Sequence, residues 1–293
     1  PAQIAADPEL HRRRPFLDGK PIYLGLPEDF ALWQEMVADF TRHVVERYGE
    51  DEVATWRFIC WNEPDLGGFA RFALDEYNPL YDHFAAGVRA VSDRIPIGGP
   101  SLSSRRTFDN PDHFRNFLEH IVRGTNHATG ETGAPIDFLT IHTYGGHGAA
   151  GSSRSPYPCV DYLLEQQLAL VAIRDEFTEL RDVPIAVAEW GVTSSGGSGI
   201  ERSPLAEVRN SQFAPAFLVT TVARLIDLRL EQDVRIADLA ICLSGYEIAR
   251  NADFEGKRTA STLRGFDKPL LNGYRMLARL GNELVASRIA PSE

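Results

Sequence analysis

A nearly continuous apolar run that ends in polar residues and a proline lies early in the chain, in Trp56-Arg-Phe-Ile-Cys-Trp-Asn-Glu-Pro64. Such a run is typical of a strand that is buried on both faces of a parallel sheet. Three later segments repeat this pattern, and a shorter apolar segment follows the first; these lie at residues 136–144, 184–190, 237–246 and 95–100. The sequence therefore predicts five strands.

Segments with helical spacing of their apolar residues separate the strands, at about residues 76–93, 111–123, 160–180 and 212–231, with further helices at about 29–48 and 269–280. Asp29 and Gly49 suit the beginning and the end of the first helix, as N-cap and C-terminal stop. Strands that alternate with helices form either a doubly wound sheet or a (β/α)₈ barrel, because the crossovers are right-handed.

Two observations favour an α/β fold of the (β/α)₈ barrel type. No glycine-rich phosphate loop follows a predicted strand, which argues against a nucleotide-dependent α/β enzyme. Polar residues follow four of the predicted strands, and the carboxyl ends of the strands meet at one face of a barrel. A barrel would therefore bring these polar residues into a single site.

The composition limits the partners of this chain of 293 residues. Its formal net charge of −11 disfavours binding to nucleic acid or to an anionic membrane, and no apolar run reaches the length of a membrane span. Its 3 cysteines form no CxxC pair, so neither a disulfide scaffold nor a structural zinc site is expected. No signal peptide is visible, and the sequence indicates no compartment.

The polar residues at the strand ends carry the candidate chemistry: Asn62-Glu63, His142 with Tyr144, Glu189-Trp190 and Tyr246-Glu247. Two carboxylates that face one substrate are the minimal machinery of glycoside cleavage, and an adjacent tryptophan suits the apolar face of a sugar ring. An isolated glutamate at a strand end is usually only solvated, but Asn62-Glu63-Pro64 after a buried strand is more specific. Taken alone, His142 is better interpreted as a core histidine, and a metal pair with His147 is disfavoured.

The sequence resembles family 39 of the glycoside hydrolases, which are retaining (β/α)₈ enzymes that include β-xylosidases and α-L-iduronidase. The similar stretches span about residues 22–284 and are found at 47–49, 56–65, 97–100, 137–144, 188–191, 268–269 and 280–281. The resemblance implies no metal and no organic cofactor. The stretch that matches the nucleophile motif is closer to the xylosidases than to the iduronidases.

The resemblance also assigns roles to the candidate residues. It implies that Glu63 is the acid/base, that Glu189 is the nucleophile and that Asn62 contacts the substrate 2-hydroxyl. His142 and Tyr144 match residues that line the sugar pocket. Glu247 matches, more loosely, a glutamate that holds a distal sugar hydroxyl, and the stretch around Tyr246 departs from the family pattern.

The number of strands differs from that of a complete barrel. In the family the strand before Asn-Glu-Pro is the fourth, so the chain is predicted to contain roughly strands four to eight. Residues 1–293 then form a single barrel domain without its first three βα units, with residues 1–29 as an irregular lead-in loop. The remaining units would come from upstream residues or from a second chain. The alternative is a degenerate strand hidden near residues 22–26.

Two functions from different classes follow from these observations. The leading hypothesis is a retaining glycosidase with a carbohydrate substrate, since both carboxylates are present in Asn-Glu-Pro and Ala-Glu-Trp contexts. The alternative is a non-catalytic carbohydrate-binding barrel protein. Binding alone does not require two opposed carboxylates, which favours the enzyme.

Overall fold

The computed structural model describes residues 11–13, 21–103, 110–146, 157–194, 199–200, 204–234, 236–241, 253–262, 264–281 and 283. The chain divides into two compact units, where the sequence predicts one domain. The first unit comprises residues 1–194 and 225–242, and the second comprises residues 195–224 and 243–293.

In its described residues the first unit contains seven strands: β1 His11–Arg13, β2 Pro21–Tyr23, β3 Phe58–Ile59, β4 Ile97–Leu102, β5 Phe138–Tyr144, β6 Ile185–Gly191 and β7 Ile236–Ile241. Its helices are α1 Phe30–Tyr48, α2 Glu50–Val53, α3 Tyr77–Arg89, α4 Asp112–Arg123 and α5 Val160–Asp175. Helix α6, Phe213–Gln232, begins in the second unit and ends in the first.

Strands β3 to β7 form one parallel sheet in the order β3-β4-β5-β6-β7. One helix connects each pair of neighbouring strands, from α3 between β3 and β4 to α6 between β6 and β7. The five predicted strands are thus confirmed, and the fold is part of a (β/α)₈ barrel. Within the described residues, β3 and β7 each pair with one neighbour and form the two edges of the sheet.

The lead-in before α1 was predicted to be irregular, yet it contains the antiparallel pair β1 and β2. Helix α1 begins where the sequence predicts. Oδ1 of Asp29 accepts a hydrogen bond from the backbone N–H of Ala31 at 2.7 Å, and Gly49 ends the helix with a φ of 86°. A positive φ favours glycine because it has no Cβ to clash with the backbone.

Strand β4 packs closely against its neighbours because it contains two glycines. A Cβ at Gly98 would lie 2.4 Å from the carbonyl oxygen of Phe138, and a Cβ at Gly99 would lie 2.8 Å from the hydroxyl of Tyr77. No larger residue fits at either position without a shift of strand β5 or helix α3. The close packing holds the carboxyl ends of β4 and β5 next to each other.

An apolar cavity of about 510 Å³ lies beside the edge strand β3. Trp33, Phe40, Phe58 and Phe84 are among its lining residues, and Phe40 is 57% exposed. The helical spacing of the apolar residues in α1 includes Phe40, but it does not predict that the side chain of Phe40 faces solvent.

The second unit contains a 3₁₀ segment, Pro204–Asn210, and helix α7, Leu270–Leu277. Arg209 is buried and donates a hydrogen bond to the carbonyl oxygen of Gly256 at 2.9 Å. Gly273 of α7 packs against Pro215 and Leu218, so this helix and the beginning of α6 share an apolar contact. Of the helices that the structure describes, none has the length and apolar character required to cross a membrane.

Candidate active site

Three polar side chains from different strands converge in the first unit. Glu63 lies in the turn after β3, His142 lies near the end of β5, and Glu189 lies near the end of β6. His142 and Glu189 are partners in the parallel register of β5 and β6, so both side chains project from the same face of the sheet. The parallel sheet thus brings together residues that are far apart in sequence.

The turn that carries Glu63 has an unusual backbone. Trp61 and Glu63 have φ values of 64° and 46°, a region that residues other than glycine rarely adopt. The backbone N–H of Glu63 donates a hydrogen bond to the carbonyl oxygen of Ser101 at 3.1 Å, and Ser101 itself has a φ of 51°. Such strained positions persist where the surrounding structure fixes them, and they are common at functional sites.

A second link fastens the same turn to the end of β4. The carboxylate of Asp65 accepts hydrogen bonds from the backbone N–H of Ser103 at 2.9 Å and from its hydroxyl at 2.5 Å. The N–H of Ser101 donates to Oγ1 of Thr140 on β5 at 2.9 Å. All four residues are buried.

The sequence interpretation did not assign roles to Ser101, Ser103, Asp65 or Thr140. The available signal was a polar strand end: Ser101 and Ser103 directly follow the segment predicted as the second parallel strand, just as Asn62 and Glu63 follow the first.

The carboxylates and the imidazole are in direct contact. Nδ1 of His142 lies 2.9 Å from Oε1 of Glu63 and 3.7 Å from Oε2 of Glu189. The hydroxyl of Tyr144 donates a hydrogen bond to Oε2 of Glu189 at 2.6 Å. One carboxylate oxygen of Glu63, one of Glu189 and a ring nitrogen of His142 all lie within 4.8 Å of one another.

The two carboxylates differ in their access to solvent. The side chain of Glu63 is 12% exposed and that of Glu189 is 26% exposed, while His142 is only 2% exposed. Glu63 is thus the more enclosed of the two carboxylates, and Glu189 is the one that accepts the hydrogen bond from Tyr144.

The thiol of Cys60 lies near the site but is not suited to act as a nucleophile. Cys60 lies between β3 and Glu63 and is 1% exposed. Burial raises the pKa of the Cys60 thiol far above its usual range, so Cys60 is a small apolar side chain and not a nucleophile.

Among the residues that the structure describes, two groups of side chains have the ligand types and the spacing for a divalent cation. One consists of the site residues Glu63, His142 and Glu189. In this group Nδ1 of His142 lies 2.9 Å from Oε1 of Glu63, and the second group contains a histidine–carboxylate pair of the same length. The other group consists of Asp82, His120 and His127, which lie on α3, on α4 and in the loop after α4.

The remaining predicted site residues are not all near the carboxylates. Asn62 is half-buried beside Glu63. Trp190 pairs with Thr143, and strand alternation places both on the face opposite to Glu189; Trp190 is 2% exposed. A substrate beside Glu189 would therefore lie on the other face of β6 from Trp190. Tyr246, Glu247 and His147 lie outside the described residues.

The sequence of the chain is similar to those of known proteins. Residues 24–292 match the family model described as glycosyl hydrolases family 39. A β-xylosidase of Caldicellulosiruptor saccharolyticus is 23% identical over 88% of the chain and 48% of its own length. An α-L-iduronidase of Canis lupus familiaris is 36% identical over 52% of the chain and 22% of its own length.

The fold is also found among solved structures. A crystal structure of a monomeric β-xylosidase from Caulobacter crescentus CB15 superposes with a TM-score of 0.73 at 21% identity. That match covers 96% of this chain and 51% of the xylosidase. The chain therefore spans at most about half the length of the relatives named here.

Proposed function

The chain belongs to family 39 of the glycosyl hydrolases, and on that premise we propose that it provides both catalytic carboxylates of a retaining glycosidase. Glu63 is the acid/base and Glu189 is the nucleophile. The observation that carries the proposal is the trio of Glu63, His142 and Glu189 at the carboxyl ends of parallel strands, within 4.8 Å of one another. The carboxyl ends of the strands are where barrel enzymes carry their active sites.

The reaction proceeds by double displacement. Glu63 donates its proton to the glycosidic oxygen while a carboxylate oxygen of Glu189 attacks the anomeric carbon, so the bond to the leaving group breaks and a glycosyl ester forms. Glu63, now ionised, then removes a proton from water, and this water attacks the anomeric carbon. The ester bond breaks, Glu189 leaves as a carboxylate, and Glu63 is protonated again.

The separation of the carboxylates supports retention of configuration. Retaining glycosidases hold their two carboxyl groups about 5–5.5 Å apart, whereas inverting enzymes hold them about 6.5–9.5 Å apart to accommodate a water molecule. One oxygen of Glu63 and one oxygen of Glu189 lie within 4.8 Å of each other, which is compatible with the retaining separation.

The environment of each carboxylate supports its role. Glu63 is the more buried of the two and contacts Nδ1 of His142, a group that can accept its proton or donate to its ionised form. Tyr144 orients Glu189 through a hydrogen bond of 2.6 Å. A nucleophile held at a fixed angle loses less entropy on reaching the transition state.

The substrate is proposed to be a carbohydrate of the type that β-xylosidases cleave, because the chain is similar to such an enzyme over 88% of its length. Asn62 contacts the 2-hydroxyl of the sugar, and His142 and Tyr144 line the pocket. Tyr246 and Glu247 are proposed as further contacts. Glu247 would hold a distal hydroxyl.

The sheet is proposed to be completed by about three further βα units, from upstream residues or from a second chain. Two observations support this: β3 and β7 are edge strands within the described residues, and an apolar cavity of about 510 Å³ lies beside β3. Unpaired edges and exposed apolar surface favour association with another segment. Assembly with such a segment should bury the exposed side chain of Phe40. Limited proteolysis and fluorescence, each compared with and without the segment, test this burial.

A panel of aryl glycosides tests the proposed activity, with the intact mass of the chain measured beforehand. A retaining glycosidase releases the aryl alcohol, and proton NMR of the first product shows the anomer of the substrate. A first product of the opposite anomer would contradict the double displacement. Saturable sugar binding without release of the aryl alcohol would favour the non-catalytic carbohydrate-binding barrel.

A further inference from the structure

A buried aspartate and two histidines form a cluster away from the carboxylates. Asp82 lies on α3 and is fully buried, and His120 lies in the last turn of α4 and is 7% exposed. His127 lies in the loop that leads from α4 to β5, and its side chain is exposed. Since helices run antiparallel to the strands of a βα unit, the end of α4 lies toward the amino end of β5. The cluster is thus at the other end of the sheet from Glu63 and Glu189.

The three side chains are close enough to share one ion. A carboxylate oxygen of Asp82 and a ring nitrogen of each histidine all lie within 4.8 Å of one another. Nε2 of His120 lies 2.9 Å from Oδ1 of Asp82, and the rings of His120 and His127 are stacked with centroids 5.8 Å apart. We propose that Asp82, His120 and His127 form a binding site for a divalent first-row transition ion, of which Zn²⁺ is the probe of choice.

The chemistry of the donors selects this class of ion. Imidazole nitrogen is a ligand for zinc, copper, iron and nickel, whereas magnesium and calcium prefer sites made of oxygen alone. Zinc accepts two histidines, one carboxylate and a water in a tetrahedral arrangement. Adjacent ligand atoms of such a site are about 3.3 Å apart, given zinc–ligand bonds of about 2.0–2.1 Å. His120 and Asp82 need to separate by only a few tenths of an ångström from their present 2.9 Å.

The exchange of a hydrogen bond for a metal bond has a simple proton balance. When Nε2 of a neutral His120 binds the ion, its hydrogen moves to Nδ1 through solvent. The imidazole fits here because residue 124 is a glycine, whose absent Cβ would lie 2.4 Å from Nδ1 of His120.

The loop that carries His127 is held in place before any ion binds. Asn126 is its anchor: Oδ1 of Asn126 accepts hydrogen bonds from the N–H groups of Ala128 at 2.9 Å and Thr129 at 3.1 Å. Oδ2 of Asp82 accepts a hydrogen bond from the N–H of His127 at 2.7 Å. Asp82 can keep this bond while Oδ1 binds the ion, and such bonds to a ligating carboxylate orient it.

The proposed ion would connect α3, α4 and the loop before β5, and it would take no part in glycoside chemistry. This inference does not rest on the proposed function. No sequence pattern predicts the site, because its ligands come from separate elements and have no recognisable metal spacing.

Zinc titration of the metal-depleted chain tests the proposal, with free zinc followed by a chromophoric chelator. The informative variant is His127→Ala, since His127 is exposed and its loss should not prevent folding. The matched control is His43→Ala, which removes an exposed histidine of α1 outside the cluster. Wild type and His43→Ala should each bind one equivalent of zinc at this site. His127→Ala should bind that equivalent about tenfold more weakly.

Zinc bound by the active-site trio is distinguished with Glu189→Gln. If that trio also binds zinc, wild type binds two zinc ions. Glu189→Gln then loses the ion at the active site, and His127→Ala loses the ion at the cluster. As a second readout, zinc should raise the Tm of wild type and His43→Ala more than that of His127→Ala, because an ion that binds only the folded state stabilises it. Equal binding and equal Tm shifts in wild type and His127→Ala, or no zinc binding by wild type, would overturn the site.

Discussion

Nδ1 of His142 lies 2.9 Å from Oε1 of Glu63, so the imidazole is in hydrogen-bonding contact with the proposed acid/base. When Glu63 is a carboxylic acid it can donate to Nδ1, and when it is a carboxylate it can accept from Nδ1–H. A hydrogen bond between Glu63 and His142 is therefore compatible with either protonation state of Glu63. His142 is 2% exposed, which limits competition from water for this contact.

Replacement of the nucleophile should abolish turnover and allow chemical rescue. In Glu189→Gly the anomeric carbon has no carboxylate to attack it, and azide should occupy the vacated space and attack in its place. The product is expected to be a glycosyl azide of inverted configuration, identified by NMR. Turnover at the wild-type rate in Glu189→Gly without azide would exclude Glu189 as the nucleophile.

The matched control for the rescue is Glu63→Gly. Here the glycosyl ester with Glu189 still forms from a substrate with a good leaving group, and azide attacks it from the side that the leaving group has vacated. The glycosyl azide should therefore have the retained configuration. If both variants gave the same anomer, the two roles would not be distinct.

Loss of the acid/base should depend on the leaving group. Glu63→Gln cannot protonate the glycosidic oxygen, so substrates with poor leaving groups should react far more slowly, while dinitrophenyl glycosides need little protonation. Rates of glycosyl-enzyme formation measured across a series of aryl glycosides provide the test. An equal loss for every leaving group would indicate a structural role for Glu63.

The hydrogen bond between Tyr144 and Glu189 should affect catalysis more than stability. Tyr144→Phe removes a bond of 2.6 Å to the nucleophile, and kcat is expected to fall by about 10- to 100-fold because the carboxylate is less well oriented. Steady-state kinetics and thermal unfolding are measured together.

The control for Tyr144 is Tyr81→Phe. It also removes a buried hydroxyl, whose bond to the carbonyl oxygen of Pro135 is 2.8 Å long and lies outside the site. A similar loss of kcat in both variants would show that Tyr144 acts only through stability.

The sequence predicted the sheet well because burial on both faces produces continuous apolar runs. It also predicted that His142 and Glu189 meet, since the carboxyl ends of parallel strands share one face. It did not reveal the orientation of Trp190, which is adjacent to Glu189 in sequence and therefore projects from the opposite face of β6.

Backbone conformation explains why the sequence did not predict the turn that carries Glu63. The positions of Trp61, Glu63 and Ser101 depend on positive φ values at residues that have a Cβ, and no sequence pattern predicts such values at residues other than glycine. The contact of Asp65 with Ser103 follows from that turn. It was therefore visible only in three dimensions.

That contact gives the last prediction, which concerns Ser103→Ala. The hydroxyl of Ser103 donates to Oδ2 of Asp65 at 2.5 Å, and Asp65 holds the turn that carries Glu63. Removal of the hydroxyl should lower kcat, because Glu63 is held less firmly beside His142. Less effective protonation by Glu63 should also make the rate of glycosyl-enzyme formation depend more strongly on the leaving group. The free energy of unfolding should fall by about 1.5–3 kcal/mol, the range for a hydrogen bond to a charged group.

Ser92→Ala separates the positioning effect from the stability effect. The hydroxyl of Ser92 also donates to a carboxylate, Oε1 of Glu50, at the same distance of 2.5 Å, and Ser92 is 6% exposed compared with 4% for Ser103. Because the carboxylate of Glu50 is 41% exposed and that of Asp65 is buried, Ser92→Ala should lose somewhat less stability in urea unfolding than Ser103→Ala. Only Ser103→Ala should change the rate of glycosyl-enzyme formation and its dependence on the leaving group. If Ser92→Ala changed that dependence equally, or if Ser103→Ala left it as in wild type, the contact with Asp65 would support the fold without positioning Glu63.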